Sequence, residues 1–419
     1  MYIKILNITF LILWLSGCSH NVHFFDQYNE EPKYPTTNNT VKLYIDAFGS
    51  LYPDMGYPKK FIPSDDEKIS QGLFTQTEKD QRICASAPPT SDAYLLCESV
   101  KDTDKPLTQW RKAQKILWNK AAANITKTYL KNSHTDLVFL IHGFNNYESE
   151  GHSAFTAIKA EVEDIIGTRK PLYVEVYWDG FKGKFTGAWR KAQASGPLVG
   201  FKLRQLFQGL DEQYHKHKQS LPPVQMITHS SGAFIVGALL GDPISAQPDL
   251  QDPPEDASEY KLFHKNRGAG STDYPIPDFP SIRVGFIAAA TATNTYSGDK
   301  EYPSTGLLAK NTTMIFTMNY RDIGLSKLFR IHNFSSFGAT GAGADRELYC
   351  RDLDTLNNND IATEVYAFDF RDHDAPFYKT YDGHGVESYF LLKEQTDLFM
   401  KKIFDLEYQD GEKYIDFCP

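Results

Sequence analysis

Val224-Gln225-Met226-Ile227 is a short apolar run that meets Thr228-His229-Ser230-Ser231-Gly232 and continues into the apolar Ala233-Phe234-Ile235-Val236. A Ser-x-Gly triplet alone is common, but one wedged between a buried strand and an Ala/Gly-rich helix has the form of a nucleophile elbow. There the chain turns sharply from strand to helix, so the positions two before and two after the serine need small side chains. The serine is left presented at the carboxyl end of the strand on a strained backbone. Gly232 fills the second small position; Thr228 stands where the usual pattern has Gly. The chemistry such a serine performs is attack on an electrophilic carbonyl, given a base to take its proton and N–H groups to receive the developing oxyanion.

His142-Gly143-Phe144-Asn145-Asn146 follows another apolar run, Leu137-Val138-Phe139-Leu140-Ile141. In serine hydrolases of this architecture one oxyanion-hole amide comes from the loop after the corresponding strand, often just past a His-Gly pair. Gly143 permits close approach, and the N–H of Phe144 is the candidate donor. The second is the N–H of Ser231, one residue past the serine. A His-Gly pair after a strand can be a plain turn; ahead of a serine elbow it carries more weight.

The two motifs and their order resemble the α/β-hydrolase superfamily, and more narrowly its bacterial lipase/esterase-like members with a His-Gly-aromatic-Asn loop. The resemblance spans residues 137–405. It implies the chain order nucleophile, acid, histidine, with the acid just after a later strand and the histidine before the last helix. On that order Ser230 is the nucleophile. Asp322, in Asn319-Tyr320-Arg321-Asp322 after the run Met314–Met318, is the acid. It is preferred to an N-cap role for this residue and to its rival Asp299, which lies farther from its strand end. His384, in Asp382-Gly383-His384-Gly385, is the base, preferred to His373 between two carboxylates in Arg371-Asp372-His373-Asp374. His229 adjoins the serine, and the elbow should turn it away from the reacting face, so it reads as a packing or supporting residue. No cofactor and no metal is called for. Amidase, thioesterase and acyltransferase chemistry use the same groups, so the choice of a carboxylic ester comes from the resemblance.

These residues need elements to position them. Leu137–Ile141, Leu172–Tyr177, Val224–Ile227, Val284–Ala288, Met314–Met318 and Val365–Phe368 read as strands. The helices are marked by Phe155, Ile158, Val162 and Ile165 ahead of Gly167, by Leu198–Leu210, and by a stretch from Glu387 to Asp405. Strands separated by helices predict an α/β fold: a mostly parallel sheet with helices on both faces, the α/β-hydrolase fold. Upstream, residues 41–132 form an N-terminal extension, in which Val41–Asp46 suits a strand and Gln109–Tyr129 a helix. Residues 242–280, rich in Pro, Asp, Ser and Gly, form a cap-like insertion after the nucleophile helix. Trp178-Asp179-Gly180 ends the second strand and either shapes the pocket or makes a turn with an aromatic anchor. Gly338-Ala339-Thr340-Gly341-Ala342-Gly343 lacks the preceding strand and following acid of a dinucleotide fingerprint.

The amino terminus speaks to compartment. Lys4 precedes an apolar stretch, Ile5–Trp14, too short for a span of about 20 residues, and Leu15-Ser16-Gly17-Cys18 resembles the bacterial lipoprotein signal. Residues 1–17 are then a signal peptide, Cys18 the lipidated residue, 18–40 a polar tether and 41–419 the folded domain, held on the cell envelope (the outer membrane, if the cell has one) by its lipid. Losing Lys4 with the leader takes the formal net charge from -9 to -10, a balance that argues against nucleic acid as a partner. The remaining cysteines are even in number, and export permits disulfides. Cys84 and Cys97, close in sequence, could staple one loop and Cys350 with Cys418 could pin the C-terminus, but four cysteines allow three pairings and the sequence does not choose among them. The expected partners are a small-molecule or lipid ester and a membrane surface. A non-catalytic binding lipoprotein of the same fold is the alternative, and it has no need of an aligned histidine.

Overall fold

A computed structural model describes residues 38–53, 72–79, 84, 87–101, 104–144, 146–180, 185–241, 275–290, 310–319, 322, 363–370 and 384–408. Seven strands form one sheet: β1 (Thr40–Ile45), β2 (Asp136–Ile141), β3 (Pro171–Trp178), β4 (Val224–His229), β5 (Ile282–Ile287), β6 (Thr312–Met318) and β7 (Thr363–Asp369). Their spatial order is β1-β3-β2-β4-β5-β6-β7, and every pairing is parallel. Parallel strands need crossovers, and the crossover helices cover both faces. Accordingly β2, β3 and β4 are buried at every position, which is why they read as near-continuous apolar runs rather than alternating ones. The architecture is an α/β-hydrolase-like fold.

The helices are α1 (Leu73–Lys79), α2 (Asp92–Val100), α3 (Pro106–Lys131), α4 (Glu148–Ile166), α5 (Phe185–Lys216), α6 (Gly232–Leu240), α7 (Val386–Phe390) and α8 (Lys393–Ile403). They form two groups: α4 packs with α7 and α8, and α5 packs with α3 and α6. The N-terminal stretch is built into this frame. β1 pairs along its length with β3, Thr40 to Ile45 opposite Tyr173 to Trp178. Asp46, just past β1, accepts main-chain N–H bonds from Phe48 (2.9 Å), Ser50 (2.6 Å) and Leu73 (2.7 Å), the last at the start of α1. Burial pushes the Asp46 carboxyl up to about 6 against those stabilising donors. Cys84 and Cys97 are joined by a disulfide, which ties the start of this segment to α2; Cys350 and Cys418 lie outside the described residues.

Several expected boundaries differ. The helix expected from Leu198 begins at Phe185 and carries Pro197 inside it; proline marks a stop in sequence, but here one lost amide is tolerated in a long packed helix. The stretch expected as one helix from Glu387 to Asp405 is two, separated at Leu391 and Leu392. The strand expected to reach Ala288 stops at Ile287, since Ala288 has φ +50°. The expected signal peptide with Cys18, most of the expected tether, and residues 242–274 of the expected cap-like insertion lie outside the described residues, as do Asp299, the glycine run 338–343 and His373. Among the described residues no helix is long and apolar enough to cross a membrane.

One buried cation fixes the helix that follows the serine. Arg204 of α5 is almost wholly buried, and its guanidinium donates to the carbonyls of Ala238 and Leu239 (both 2.9 Å) and to that of Gly241. These are the acceptors a helix leaves unbonded at its carboxyl end, where a positive charge is also favoured by the helix dipole. Arg204 therefore clamps the far end of α6, and with it the orientation of the turn at α6's amino end.

Candidate active site

The sheet itself nominates a place. From β2 the chain crosses to β3 on one side, and from β4 it crosses to β5 on the other, so the strand order reverses between β2 and β4. A crevice opens outside the carboxyl ends of strands at such a switch point. His142-Gly143-Phe144 leaves β2 there, and Ser230 leaves β4 beside it.

Ser230 has φ +53°, the left-handed region that a non-glycine residue enters at a cost of about 1–3 kcal/mol. The conformation is held from both ends: the Ser230 N–H donates to Ile287 O (2.9 Å), and Ser230 O accepts from Ala290 N (3.1 Å). The two small-residue positions face each other. A Cβ on Gly232 would collide with the Thr228 hydroxyl and lie 2.9 Å from the His142 carbonyl, so Thr at 228 makes Gly at 232 obligatory. The Thr228 Oγ1 is buried with no hydrogen-bond partner among the described residues, a concrete cost of replacing the usual glycine.

Three side chains from distant parts of the chain converge. Ser230 Oγ donates to His384 Nε2 (2.9 Å), and His384 Nδ1 donates to Asp322, 3.1 Å from Oδ1 and 3.0 Å from Oδ2. Asp322 is fully buried while the His384 side chain is 30% exposed, so the imidazole lines the open side of the arrangement. Asp322 also accepts the Tyr389 hydroxyl proton (2.7 Å). Tyr389, on α7, is a contributor that sequence reasoning missed; no local pattern in the sequence marks it. Burial, then the negative Asp322, push the Tyr389 phenol well above its ordinary value, so it stays a proton donor to the carboxylate.

The His-Gly loop lies against the serine. A Cβ on Gly143 would sit 2.8 Å from the Ser230 Cβ, so glycine permits this approach. His142 is buried, and burial lowers it to about 3; a neutral ring then has one donor and one acceptor nitrogen. Nδ1 donates to Gly143 O (2.6 Å) and Nε2 accepts from Trp178 N (3.0 Å), while Trp178 Nε1 donates to His142 O (2.8 Å). The rings of His142 and Trp178 stack at 5.7 Å. Trp178 is thus the aromatic anchor of the loop, and Gly180 would place a Cβ 3.1 Å from Phe144 Cα. Trp178-Asp179-Gly180 thus braces the backbone that carries the candidate donor.

The two candidate oxyanion donors are adjacent but not equally free. The Phe144 N–H donates to Ser231 Oγ (2.8 Å). Ser231 caps α6 by position, yet its hydroxyl makes no cap hydrogen bond; it is turned instead onto the His-Gly loop. A carbonyl oxygen arriving beside Ser230 competes with that hydroxyl for the Phe144 amide. His229 donates from Nε2 to the main-chain carbonyl of His384 (2.6 Å). Among the described residues no cluster of three or more His, Cys, Asp or Glu side chains could hold a metal ion.

These features define a chain with an α/β-hydrolase-like fold and a Ser–His–Asp arrangement at its switch point. No family model matches the sequence, and no curated protein matches it. Among solved structures it is similar to the apo form of Thermogutta terrifontis esterase 2, at 10% sequence identity over 66% of this chain and 86% of that one, with a TM-score of 0.30. At that score the likeness carries no weight, and the reading below rests on the residues themselves.

Proposed function

We propose that the protein is a lipid-anchored, exported serine hydrolase that cleaves a carboxylic ester through an acyl-serine intermediate. The observation that carries this reading is the continuous hydrogen-bonded line Ser230–His384–Asp322, at 2.9 Å and 3.0–3.1 Å, ending on a serine at φ +53°. His384 Nε2 takes the Ser230 proton as Oγ attacks the ester carbonyl. It passes that proton to the departing alcohol, leaving the acyl group on Ser230. It then takes a proton from water as the hydroxide attacks the acyl carbonyl, and gives that proton to Ser230 Oγ as the C–Oγ bond breaks, releasing the acid and restoring the serine. Asp322 keeps the imidazole proton on Nδ1 and stabilises the imidazolium, with Tyr389 holding the carboxylate. The N–H groups of Ser231 and Phe144 receive the oxyanion, the latter exchanging the Ser231 hydroxyl for it. A non-catalytic binder would have no need of this alignment. The envelope anchor rests on Leu15-Ser16-Gly17-Cys18 and the apolar stretch before it.

The test is intact-mass analysis of the form lacking residues 1–18 after treatment with a fluorophosphonate, beside its Ser230→Ala variant. One adduct per chain on the parent and none on the variant is expected. A folded parent that takes no adduct sinks the hydrolase reading.

A further inference from the structure

His229 is half of an unusual contact. It ends β4 one residue before Ser230 and is 8% exposed. Its Nε2–H donates not to another side chain but to the backbone carbonyl of His384 itself, at 2.6 Å, and the two rings lie with centroids 5.1 Å apart. On its other edge the ring meets the His-Gly loop: a Cβ on Gly143 would lie 3.2 Å from His229 Nδ1. The ring therefore sits between the loop that brings Phe144 and the segment that brings His384.

The geometry matters because of what else fixes His384. Its ring is held at two points, Nε2 on Ser230 and Nδ1 on Asp322, both on the imidazole. A ring held only at its nitrogens can still slide with its own backbone. The His229 bond falls on the backbone, beside the Cα from which the imidazole pivots, and it starts from the residue covalently attached to Ser230. It thus sets the distance from the base's pivot to the nucleophile through a short, rigid path. The bond uses an N–H donor, and burial, with the His384 ring second, lowers His229 to about 4; the neutral ring with its proton on Nε2 supplies that donor at neutral pH.

We infer that His229 is a positioning residue that ties the His384 backbone to the nucleophile strand and holds the imidazole at reacting distance from Ser230. The inference rests on the serine-hydrolase reading for its consequence in rate, but the tie itself can be read without turnover. Two variants separate the donor from the packing. Glutamine places an amide N–H close to where Nε2 stands, and leucine fills the space with no donor. Two measurements are made on the form lacking residues 1–18: the fluorophosphonate labelling rate, resolved into binding and reaction steps, and the far-downfield proton resonance of the His384 Nδ1–H bonded to Asp322.

His229→Leu is expected to slow the reaction step ten- to a hundredfold with little change in probe binding, as about an ångström of misplacement does. It should also broaden or lose the downfield resonance. His229→Gln should return the rate to within a few-fold of the parent and restore the resonance. A folded Leu variant that labels at the parental rate and keeps the resonance overturns the inference. If the Leu variant fails to fold, Gln is compared with His229→Asn, whose amide is too short to reach, with the same expected contrast. A parent that never labels, yet whose resonance is lost in Leu and kept in Gln, would support the tie while refuting the hydrolase reading.

Discussion

The two halves of the candidate site are built by different means. The nucleophile half, Ser230 with the His142–Phe144 loop, is placed by main chain. Ser230 continues β4 into α6, Gly143 continues β2, and their mutual approach is fixed by strand pairing in the centre of the sheet. The acid–base half is placed by side-chain hydrogen bonds. His384 is held by Ser230, Asp322 and the His229 donor, and Asp322 by His384 and Tyr389. A strand end is specified by many cooperative bonds and tolerates the loss of one. A histidine suspended on three bonds does not. The lesson is that substitutions on the acid–base side should cut rate with little cost in stability, and those on the nucleophile side should cost stability along with rate.

The sharpest break of that contrast is Asp322→Asn. The amide is nearly isosteric, but it presents N–H toward His384 Nδ1 and drives the imidazole proton to Nε2, where it can no longer accept from Ser230. A loss of about 10⁴-fold in the rate of ester hydrolysis is expected, as for the equivalent change in the chymotrypsin triad, with the thermal midpoint near that of the parent. Steady-state hydrolysis of a p-nitrophenyl ester checks it. A loss below tenfold would mean that Asp322 does not orient the base.

The opposite behaviour is expected of Gly232→Ala. The new Cβ meets the Thr228 hydroxyl and the His142 carbonyl, and overpacking of this kind costs about 1–3 kcal/mol. Thr228→Ala removes both the obstructing atom and an unpartnered buried hydroxyl, so the double variant should recover part of the loss. A coupling of about 0.5–3 kcal/mol in a double-mutant cycle from urea unfolding is the expected signature of touching residues. Strict additivity would show that positions 228 and 232 do not constrain each other.

Proton linkage gives a smaller, graded effect on the same half. His142 and His229 are lowered by burial to about 3 and about 4 from an ordinary 6.5. The unfolded chain therefore binds two protons that the folded one refuses, and stability present above about pH 6.5 is lost as pH falls toward those folded values. Asp46, raised to about 6, acts in the other direction: between about pH 6 and 4 the folded state holds a proton the unfolded carboxylate lacks. It offsets one of the two. Asp46→Asn should therefore steepen the fall in unfolding free energy over that window by about 1.4 kcal/mol per pH unit. Urea titrations at pH 4, 5 and 6 read this directly, and parallel curves for parent and variant would refute the assignment.

This asymmetry also explains what could be read in sequence. Six strands were legible because burial on both faces writes them as apolar runs, and the elbow because Ser230 and Gly232 are neighbours in the chain. The chain order that the α/β-hydrolase resemblance implies pointed to Asp322 and His384 as partners for Ser230; element order alone would only have placed strand ends on one edge of the sheet. Tyr389 and the His229 tie were not legible. Each depends on where a side chain points across 67 or 155 residues of intervening chain, and neither tyrosine nor histidine at those places breaks a local pattern. The true start of α5 was also missed: Pro197 stands directly before the apolar run from Leu198, and the helix in fact begins at Phe185. The pairing of β1 with β3 was equally hidden: the order of strands in a sheet is set by crossovers, and the chain between β1 and β2 is long and partly apolar throughout.

Ser231→Ala should give the mildest effect and joins the two halves. The Ser231 hydroxyl accepts the Phe144 N–H, which on the hydrolase reading is an oxyanion donor, so part of the binding energy of that amide is already used in the resting site. Alanine keeps the Ser231 N–H and removes only the competitor. The net worth of such a neutral hydrogen bond is about 0.5–1.5 kcal/mol, which appears twice: as a small loss of stability, because the Phe144 amide loses the Ser231 acceptor, and as a gain in kcat/KM of about two- to tenfold, because the transition state supplies an acceptor in its place. A rise in kcat/KM with a lower thermal midpoint would show that the resting site is stabilised at the expense of reactivity. A fall in kcat/KM with unchanged stability would mean the opposite, that the hydroxyl donates to the oxyanion itself and the nucleophile half, like the other, depends on a side chain.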